Sequence, residues 1–251
     1  MEVKPSSLTA SYTSSALGRR REQFAFETIP LTFEKTTGEP VLLKEFTTYE
    51  FTAELARRLR PQGKFIIANA VGPTFPFTYH LLDIHGYEWG IDTTAAFART
   101  IAYHKPVVSL PVQPPHQAEQ WVKAHLRYGV MPGGYANSES FLNREAMVKY
   151  SPLCRALQVA GWEPVTLATS NQPELQVERF GAETDGLLFL TVYNHAAAGR
   201  PGELRLDLAR LHVAPDASVT ELVSGRAGRL AAGVLAVDVA AHDVQVWRIG
   251  R

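Results

Sequence analysis

The spacing at which hydrophobic residues recur along this chain changes once, close to Gly161. Before Gly161, short apolar runs such as residues 64–70 alternate with amphipathic segments of helical spacing such as residues 117–128. After it, apolar and polar residues alternate in short segments that turn residues separate. Strands alternating with helices predict a parallel sheet, whereas period-two strands joined by turns predict antiparallel sheets. The predicted fold class is therefore α/β followed by all-β.

The same change in period predicts two domains, residues 1–161 and residues 162–251. Thr47 and Glu50 have the spacing of a helix-capping box, and Gly63 follows the end of that helix. The remaining elements follow from apolar runs and breakers. Helices are predicted over 47–60, 93–103, 117–128, 143–150 and 152–160, and strands over 64–70, 81–87, 106–112 and 130–131.

Composition excludes several classes of protein. Of the 251 residues, 45% are hydrophobic, and 25 basic residues balance 25 acidic ones, so the basic surface of a nucleic-acid binder is absent. The only cysteine, Cys154, excludes an internal disulfide, and its helical spacing predicts an apolar filler. No apolar run approaches the ~20 residues that span a bilayer. The N-terminal residues lack the apolar core of a signal peptide, so we expect a cytoplasmic protein without membrane contact.

Residues 64–90 carry the clearest chemical signal. One apolar run leads to Asn69, and the next leads to His85-Gly86-Tyr87-Glu88-Trp89. In parallel α/β enzymes, the carboxyl ends of the strands face the substrate. Two flanking aromatic rings would raise the pKa of Glu88, as a general acid requires, and such rings also stack on sugars. Glu88 is the leading catalytic candidate, and a salt-bridged surface glutamate is the alternative.

The other candidates follow from the same segment. Asp83 lies within an apolar run, so it is predicted first as a buried structural anchor and second as an acid–base partner of Glu88. Asn69 would hydrogen-bond a sugar hydroxyl or cap its own loop. Tyr135 follows Gly133-Gly134 and would offer an aromatic platform or pack at the rim. The predicted substrate-binding residues are Asn69, His85, Tyr87, Trp89 and Tyr135.

No metal or cofactor is expected. The spacing of His80, Asp83 and His85 matches no mechanistic metal motif, and on a strand His80 would not share the face of the other two. Ser109 lacks the G-x-S-x-G surroundings of a serine hydrolase. Neither a G-x-G-x-x-G sequence nor a phosphate-binding loop is present.

Several segments together carry a family resemblance: RREQFAFETIPLTFEKTTGEPVLLKEFTTYEF, GKFIIANA, LLDIHGYEWG, AYHKPVVSL, LRYGVMPGGY and AGWEPVTLATS. The chain resembles the C-terminal half of bacterial glycoside-hydrolase-like proteins that have a (β/α)8 barrel followed by a β-sandwich. The resemblance implies a partial (β/α)8, TIM-type barrel over residues 1–161, with roughly its last four strands, and a small antiparallel β-sandwich over residues 162–251. It also implies hydrolysis of a glycosidic bond by carboxylate acid–base chemistry.

The resemblance also implies that a second carboxylate is missing. Ser14 stands where such proteins have an aspartate at a strand end, and Glu27, Asp92 and Glu139 are candidate replacements. The alternative function is therefore a non-catalytic carbohydrate-binding or assembly subunit, or a truncated inactive remnant of such an enzyme. An incomplete barrel exposes sheet edges, so a homodimer or a missing N-terminal barrel half is the expected partner besides carbohydrate.

Overall fold

The computed structural model describes residues 17–18, 31–33, 36, 38, 40–68, 76–87, 91, 93–110, 117–133, 144–183 and 186–250. The chain divides into two compact units, residues 1–88 and residues 89–251. The change from mixed to all-β structure near Gly161 thus falls inside the second unit. The two domains predicted on either side of that change stay a prediction.

The first unit begins with a three-stranded antiparallel sheet and a helix. The sheet has β3 (Pro40–Leu43) between β1 (Leu17–Gly18) and β2 (Leu31–Phe33). Helix α1 (Lys44–Leu59) follows β3 directly, so Thr47 and Glu50 lie inside the helix, and the predicted capping box is wrong.

The end of α1 agrees with the sequence. A 3-10 turn (Arg60–Gln62) follows the helix, and Gly63 stops it with a left-handed φ of 68°. The N–H of Gly63 donates to the carbonyl of Arg60 at 3.0 Å. The glycine signal therefore predicts this helix end because the local backbone requires a positive φ.

Two short parallel strands complete the first unit. Strand β4 (Ile67–Ala68) pairs with β5 (Ile84–Tyr87), with Ala68 opposite His85. A 3-10 segment (Pro76–Leu81) lies between them. The parallel pairing is confirmed. Strand β5 begins at Ile84, later than predicted, because the 3-10 segment extends into the apolar run that precedes it.

The predicted burial of the first apolar run is wrong in part. Ile66 is buried at 6% exposure, whereas Phe65 is 77% and Ile67 is 52% exposed. Among the described strands, β4 hydrogen-bonds within its unit to β5 alone. The run therefore lacks the cover on both faces that a central strand of a parallel sheet would have.

The second unit opens with alternating helices and strands. These are α2 (Thr93–Ala102), β6 (Val107–Ser109), α3 (Ala118–Ala124), a 3-10 turn (His125–Tyr128), β7 (Met131–Pro132) and α4 (Arg144–Ala160). Strands β6 and β7 are parallel, with Ser109 opposite Pro132. A Cβ on Gly133 would lie 2.1 Å from the carbonyl oxygen of Ser109, so the residue after β7 must be glycine.

Helix α4 is continuous, although two helices are predicted from the proline at position 152. Pro152 lies inside the helix, where it removes one backbone hydrogen bond. The helix persists because one of its faces is buried. That face consists of Ala146, Tyr150, Cys154, Leu157 and Ala160. No helix in the described ranges is both long and apolar enough to cross a bilayer.

Two antiparallel sheets form the rest of the unit, as the period-two pattern predicts. One has the strand order β14-β13-β16-β11-β10-β8 and the other β15-β12-β9. The strands are β8 (Trp162–Glu163), β9 (Ala168–Ser170), β10 (Leu175–Phe180), β11 (Leu188–Asn194), β12 (Arg200–Leu206), β13 (Ser218–Glu221), β14 (Ala227–Arg229), β15 (Val234–Val239) and β16 (Val244–Ile249), with a short helix α5 (Leu208–Leu211) after β12. Residues of both sheets, such as Leu190 and Leu235, share one hydrophobic core.

Candidate functional site

The predicted carbohydrate site lies at the carboxyl ends of β4 and β5. Because these strands are parallel neighbours, their carboxyl ends meet at one edge, as the site requires. The chain continues from β4 into Asn69 and from β5 into Glu88 and Trp89. These three residues and Tyr135 lie outside the described residues, so their roles stay predictions.

Asp83 lies at the opposite, amino end of β5. Its Oδ2 accepts a 2.9 Å hydrogen bond from the backbone N–H of Ile66, and its Oδ1 lies 3.0 Å from Nη2 of Arg60. Arg60 also donates to the carbonyl of Leu81 at 2.9 Å. These bonds tie the start of β5 to the residue before β4 and to the turn after α1. These contacts agree with the first interpretation of Asp83, which is that of a structural anchor.

His85 and Tyr87 point to one face of β5 and have no exposed surface. The His85 ring packs edge-on against Tyr79, with ring centroids 5.7 Å apart. A ligand cannot touch a side chain without exposed surface unless the surrounding residues move. The structure therefore favours packing roles for His85 and Tyr87, and substrate contact by either stays a prediction.

A polar cluster that was not predicted from the sequence lies in the second unit, around Arg99 of α2. The Arg99 side chain is 9% exposed, and its Nη1 lies 2.9 Å from Oε2 of Glu178. Its guanidinium carbon lies 4.0 Å from the centre of the Trp162 ring and 5.0 Å from that of Tyr128. The indole N–H of Trp162 donates to Oε2 of Glu178 at 2.9 Å. One carboxylate thus binds both the cation and the ring that stacks on it.

Arg127 continues this cluster across β10. Its Nε donates to Oε1 of Gln176 at 3.0 Å, and Gln176 in turn donates to Glu178 at 2.6 Å. Nη2 of Arg127 also lies 3.0 Å from Nε2 of His195, and its guanidinium stacks 4.2 Å from the Tyr193 ring. The cluster joins the helical segment to the antiparallel sheet within this unit. Its side chains therefore have a structural role.

The sequence contains one sign of this cluster. Gln176 and Glu178 alternate with apolar residues on β10, so they share one face of that strand. Such a polar face is usually solvated, but here Arg99 and Arg127 reach it from the helical segment. A polar strand face next to buried arginines is recognisable only once the tertiary contacts are known.

Two further titratable groups of the second unit, His125 and Cys154, are buried. His125 has no exposed surface, its Nδ1 bonds the carbonyl of Trp121 at 2.8 Å, and burial lowers its pKa to about 4. Burial also raises the pKa of the Cys154 thiol, which keeps it protonated. Neither group is a base or nucleophile open to a substrate. In the described ranges, no three His, Cys, Asp or Glu side chains are grouped to hold a metal ion.

Comparison with known proteins gives a likeness in structure alone. No protein-family profile and no curated protein sequence matches this chain. Its structure is similar to that of α-galactosidase I from Mortierella vinacea, with a TM-score of 0.53 and 10% identity over 80% of this chain and 62% of that one. It is also similar to a GH27 β-L-arabinopyranosidase from Geobacillus stearothermophilus, with a TM-score of 0.53 and 10% identity over 81% and 54% of the two chains.

A putative α-galactosidase from Bacteroides fragilis gives a TM-score of 0.54 and 12% identity, with 82% of this chain and 52% of that one covered. The fold is glycoside-hydrolase-like. At this level of identity, the similarity concerns the fold and carries no residue role. The chain spans about half to three-fifths of the length of these solved structures.

Proposed function

We propose that this glycoside-hydrolase-like protein acts on carbohydrate. The observation that carries the proposal is the similarity in fold to the α-galactosidase and the β-L-arabinopyranosidase over four-fifths of the chain. In this proposal, the parallel pairs of residues 1–161 belong to a partial (β/α)8 barrel, and the antiparallel sheets of residues 162–251 form a β-sandwich. The proposed substrate is a glycoside of galactose or arabinose type, the sugars named for these two structural neighbours.

Glu88 is the proposed general acid or base for hydrolysis of the glycosidic bond. It follows Tyr87, the last residue of β5, and Asn69 follows the last residue of β4. In barrel enzymes, the carboxyl edge of the parallel strands holds the reacting groups. Asn69 would hydrogen-bond a sugar hydroxyl, and the rings of Trp89 and Tyr135 would stack on its apolar faces.

Asp83 does not fit as the second carboxylate of this reaction. It lies four positions before Tyr87, the residue next to Glu88, and in a strand four positions correspond to about 13 Å. The two carboxylates of a glycosidase lie roughly 5 to 9.5 Å apart. We therefore propose that Asp83 anchors β5, and that the second carboxylate is one of Glu27, Asp92 and Glu139.

A non-catalytic carbohydrate-binding subunit is the second candidate function. One observation supports it: Asp83, one of the two carboxylates predicted to be catalytic, is engaged by Arg60 and the amide of Ile66, which leaves Glu88 as the one remaining predicted catalytic carboxylate. In that case, Asn69 and the aromatic residues would still contact sugar, but no proton would be transferred.

The effect of Glu88→Gln on hydrolysis distinguishes the glycoside hydrolase from the carbohydrate-binding subunit. The wild type and the variant are assayed with a panel of aryl glycosides that begins with α-galactosides and β-L-arabinopyranosides. Loss of acid–base catalysis is expected to lower the rate by about 10²- to 10⁴-fold. Binding of galactose and arabinose, measured by calorimetric titration, is expected to persist. Glu145→Gln, which changes an exposed carboxylate in the first turn of α4, is the matched control.

Each result selects one function. A Glu88→Gln variant as active as the wild type removes the catalytic role from Glu88. Saturable sugar binding without hydrolysis by the wild type identifies a binding subunit. Neither binding nor hydrolysis across the panel refutes action on carbohydrate.

A further inference from the structure

A polar groove lies on the three-stranded sheet β15-β12-β9 of the second unit. Its volume is about 240 Å³. Pockets that bind drug-sized molecules measure roughly 300–1,000 Å³, so this groove is on the scale of a smaller ligand, such as one sugar unit. The lining consists of Thr169, Ser170, Asn171, Glu203, Arg205 and Val234.

The strand register brings the side chains of the groove together. Leu204 of β12 belongs to the hydrophobic core, so Glu203 and Arg205 on either side of it project from the opposite, exposed face of the sheet. Arg205 lies opposite Thr169 of β9 and opposite Val234 of β15. One row of side chains therefore crosses all three strands on the exposed face.

Hydrogen bonds hold one wall of the groove in place. The N–H of Asn171 donates to the carbonyl of Glu203 at 3.1 Å, and its Oδ1 accepts the N–H of Glu203 at 2.9 Å. The hydroxyl of Ser170 is bonded to the backbone of Gln172 at 2.9 and 3.0 Å. A Cβ on Gly202 would lie 3.1 Å from Cγ of Gln172, so the absence of a side chain there lets this wall approach β12. Because its Oδ1 is bonded, Asn171 offers a ligand its Nδ2 amide as a donor.

The two charged side chains of the groove are open to a ligand. Both are exposed, and among the described residues neither the guanidinium of Arg205 nor the carboxylate of Glu203 makes a hydrogen bond or an ion pair. The groove thus presents one cation, one anion, an amide and hydroxyls around one concave space. A simple ion would meet a like charge there. A neutral polyol matches the set, because each of its hydroxyls both donates and accepts a hydrogen bond.

We propose that this groove binds one sugar unit of a neutral glycan. The choice of a sugar among neutral polyols rests on the proposed action on carbohydrate. The carboxylate of Glu203 accepts hydrogen bonds from two neighbouring ring hydroxyls, and Arg205 and the amide of Asn171 donate to sugar oxygens. The site belongs to the antiparallel sheet, so it is separate from the predicted site at the carboxyl ends of β4 and β5. It contributes affinity for the glycan and takes no part in cleavage of a bond.

Amide NMR spectra of the isotope-labelled full chain report on each place in the sequence separately. The chain is titrated with D-galactose and with L-arabinose. Saturable shifts are expected for the amides of residues 169–171 and 203–205. Ethylene glycol, at an equal concentration of hydroxyl groups, is expected to cause no saturable shift, because it lacks the ring that places several hydroxyls at once.

Three variants assign the binding to the charged side chains. Glu203→Gln and Arg205→Gln each remove a charged partner and are expected to weaken sugar binding in the groove roughly 10- to 100-fold, as loss of a hydrogen bond to a charged group does. Arg248→Gln changes an exposed arginine of β16 outside the lining of the groove and is expected to keep the wild-type affinity. All three side chains are exposed, so each variant should unfold near the Tm of the wild type.

The outcomes separate this inference from the proposed function. Shifts near Asn69 and Glu88 without shifts in the groove overturn the inference and leave the proposed function intact. Shifts in the groove alone support the inference and count against a sugar site at β4 and β5. Groove shifts that keep their wild-type affinity in both Glu203→Gln and Arg205→Gln overturn the inference, since the charged side chains would then not hold the sugar. No saturable shift with either sugar contradicts both.

Discussion

Glu178 binds Trp162 through a 2.9 Å hydrogen bond from the indole N–H to its Oε2. The same oxygen lies 2.9 Å from Nη1 of Arg99, whose guanidinium stacks on that indole ring. The three side chains come from β10, β8 and α2. Their mutual contacts fix the helical segment of the second unit against its antiparallel sheet.

Glu178→Ala is expected to destabilise the protein strongly. The carboxylate and the arginine are 13% and 9% exposed, so removal of one partner leaves a buried charge unpaired. Such a loss costs about 3 kcal/mol, and the indole N–H loses its acceptor as well. The free energy of unfolding, measured by urea titration with circular dichroism, is the readout.

Asp216→Ala is the matched control for Glu178→Ala. Its carboxylate pairs with Arg229 at 3.2 Å, and the two side chains are 68% and 71% exposed. Because exposed pairs contribute about 0–1 kcal/mol, the control is expected to unfold at nearly the wild-type urea concentration. Equal losses in the two variants would contradict a special role for Glu178.

Asp83→Ala is expected to loosen the start of β5 and the residue before β4. The variant removes the acceptor of the Ile66 N–H and the partner of Arg60, at a cost of about 1.5 kcal/mol. Amide exchange in residues 64–68 should accelerate. Asp83→Asn keeps one side-chain oxygen and should lose less.

The same pair of variants separates anchoring from catalysis. An anchor predicts that any glycosidase activity of Asp83→Asn keeps the wild-type dependence on pH. A changed pH profile with unchanged amide exchange would return Asp83 to the catalytic residues.

Local patterns in the sequence predict local structure well. The alternation of Leu188, Leu190 and Val192 predicts a strand, and all three are buried in the core. The glycine at position 63 predicts the end of α1. These signals depend on the backbone and on neighbours a few residues away, so no tertiary information is needed to read them.

Pairings between distant residues are not predictable in this way. Asp83 binds Arg60 from 23 positions away, and Arg99 and Glu178 meet although a long stretch of the second unit separates them in the sequence. Pro152 signals a helix break, yet tertiary packing keeps α4 intact. The sequence identifies Asp83 as a residue that needs a partner, but only the folded chain selects that partner.

His125 is expected to make the protein less stable as the pH falls. Burial lowers its pKa from 6.5 to about 4 in the folded state, whereas in the unfolded chain the ring takes up a proton near pH 6.5. The unfolded state therefore binds more protons between pH 6.5 and pH 4, and the free energy of unfolding falls by about 3 kcal/mol across that window. Urea titrations at several pH values measure this slope.

The contribution of His125 appears as a difference between variants, because carboxylates titrate in part of the same window. His125→Leu should show a shallower fall in stability than the wild type from pH 6.5 to 4. His212→Asn, at an exposed position with a φ of 52° that asparagine tolerates, should keep the wild-type slope. Parallel slopes in all three proteins would mean that His125 is accessible to protons in the folded state.

Cys154 is expected to be inert in the folded protein. It has no exposed surface on the inner face of α4, and burial raises the pKa of its thiol, so little thiolate forms at neutral pH. Because it is the only cysteine, a thiol-specific chromogenic reagent reports on it alone. The native protein should release almost no chromophore, and the protein in concentrated guanidinium should release one equivalent. Rapid reaction of the native protein at the rate of the denatured one would show that the packing of α4 opens on the timescale of the assay.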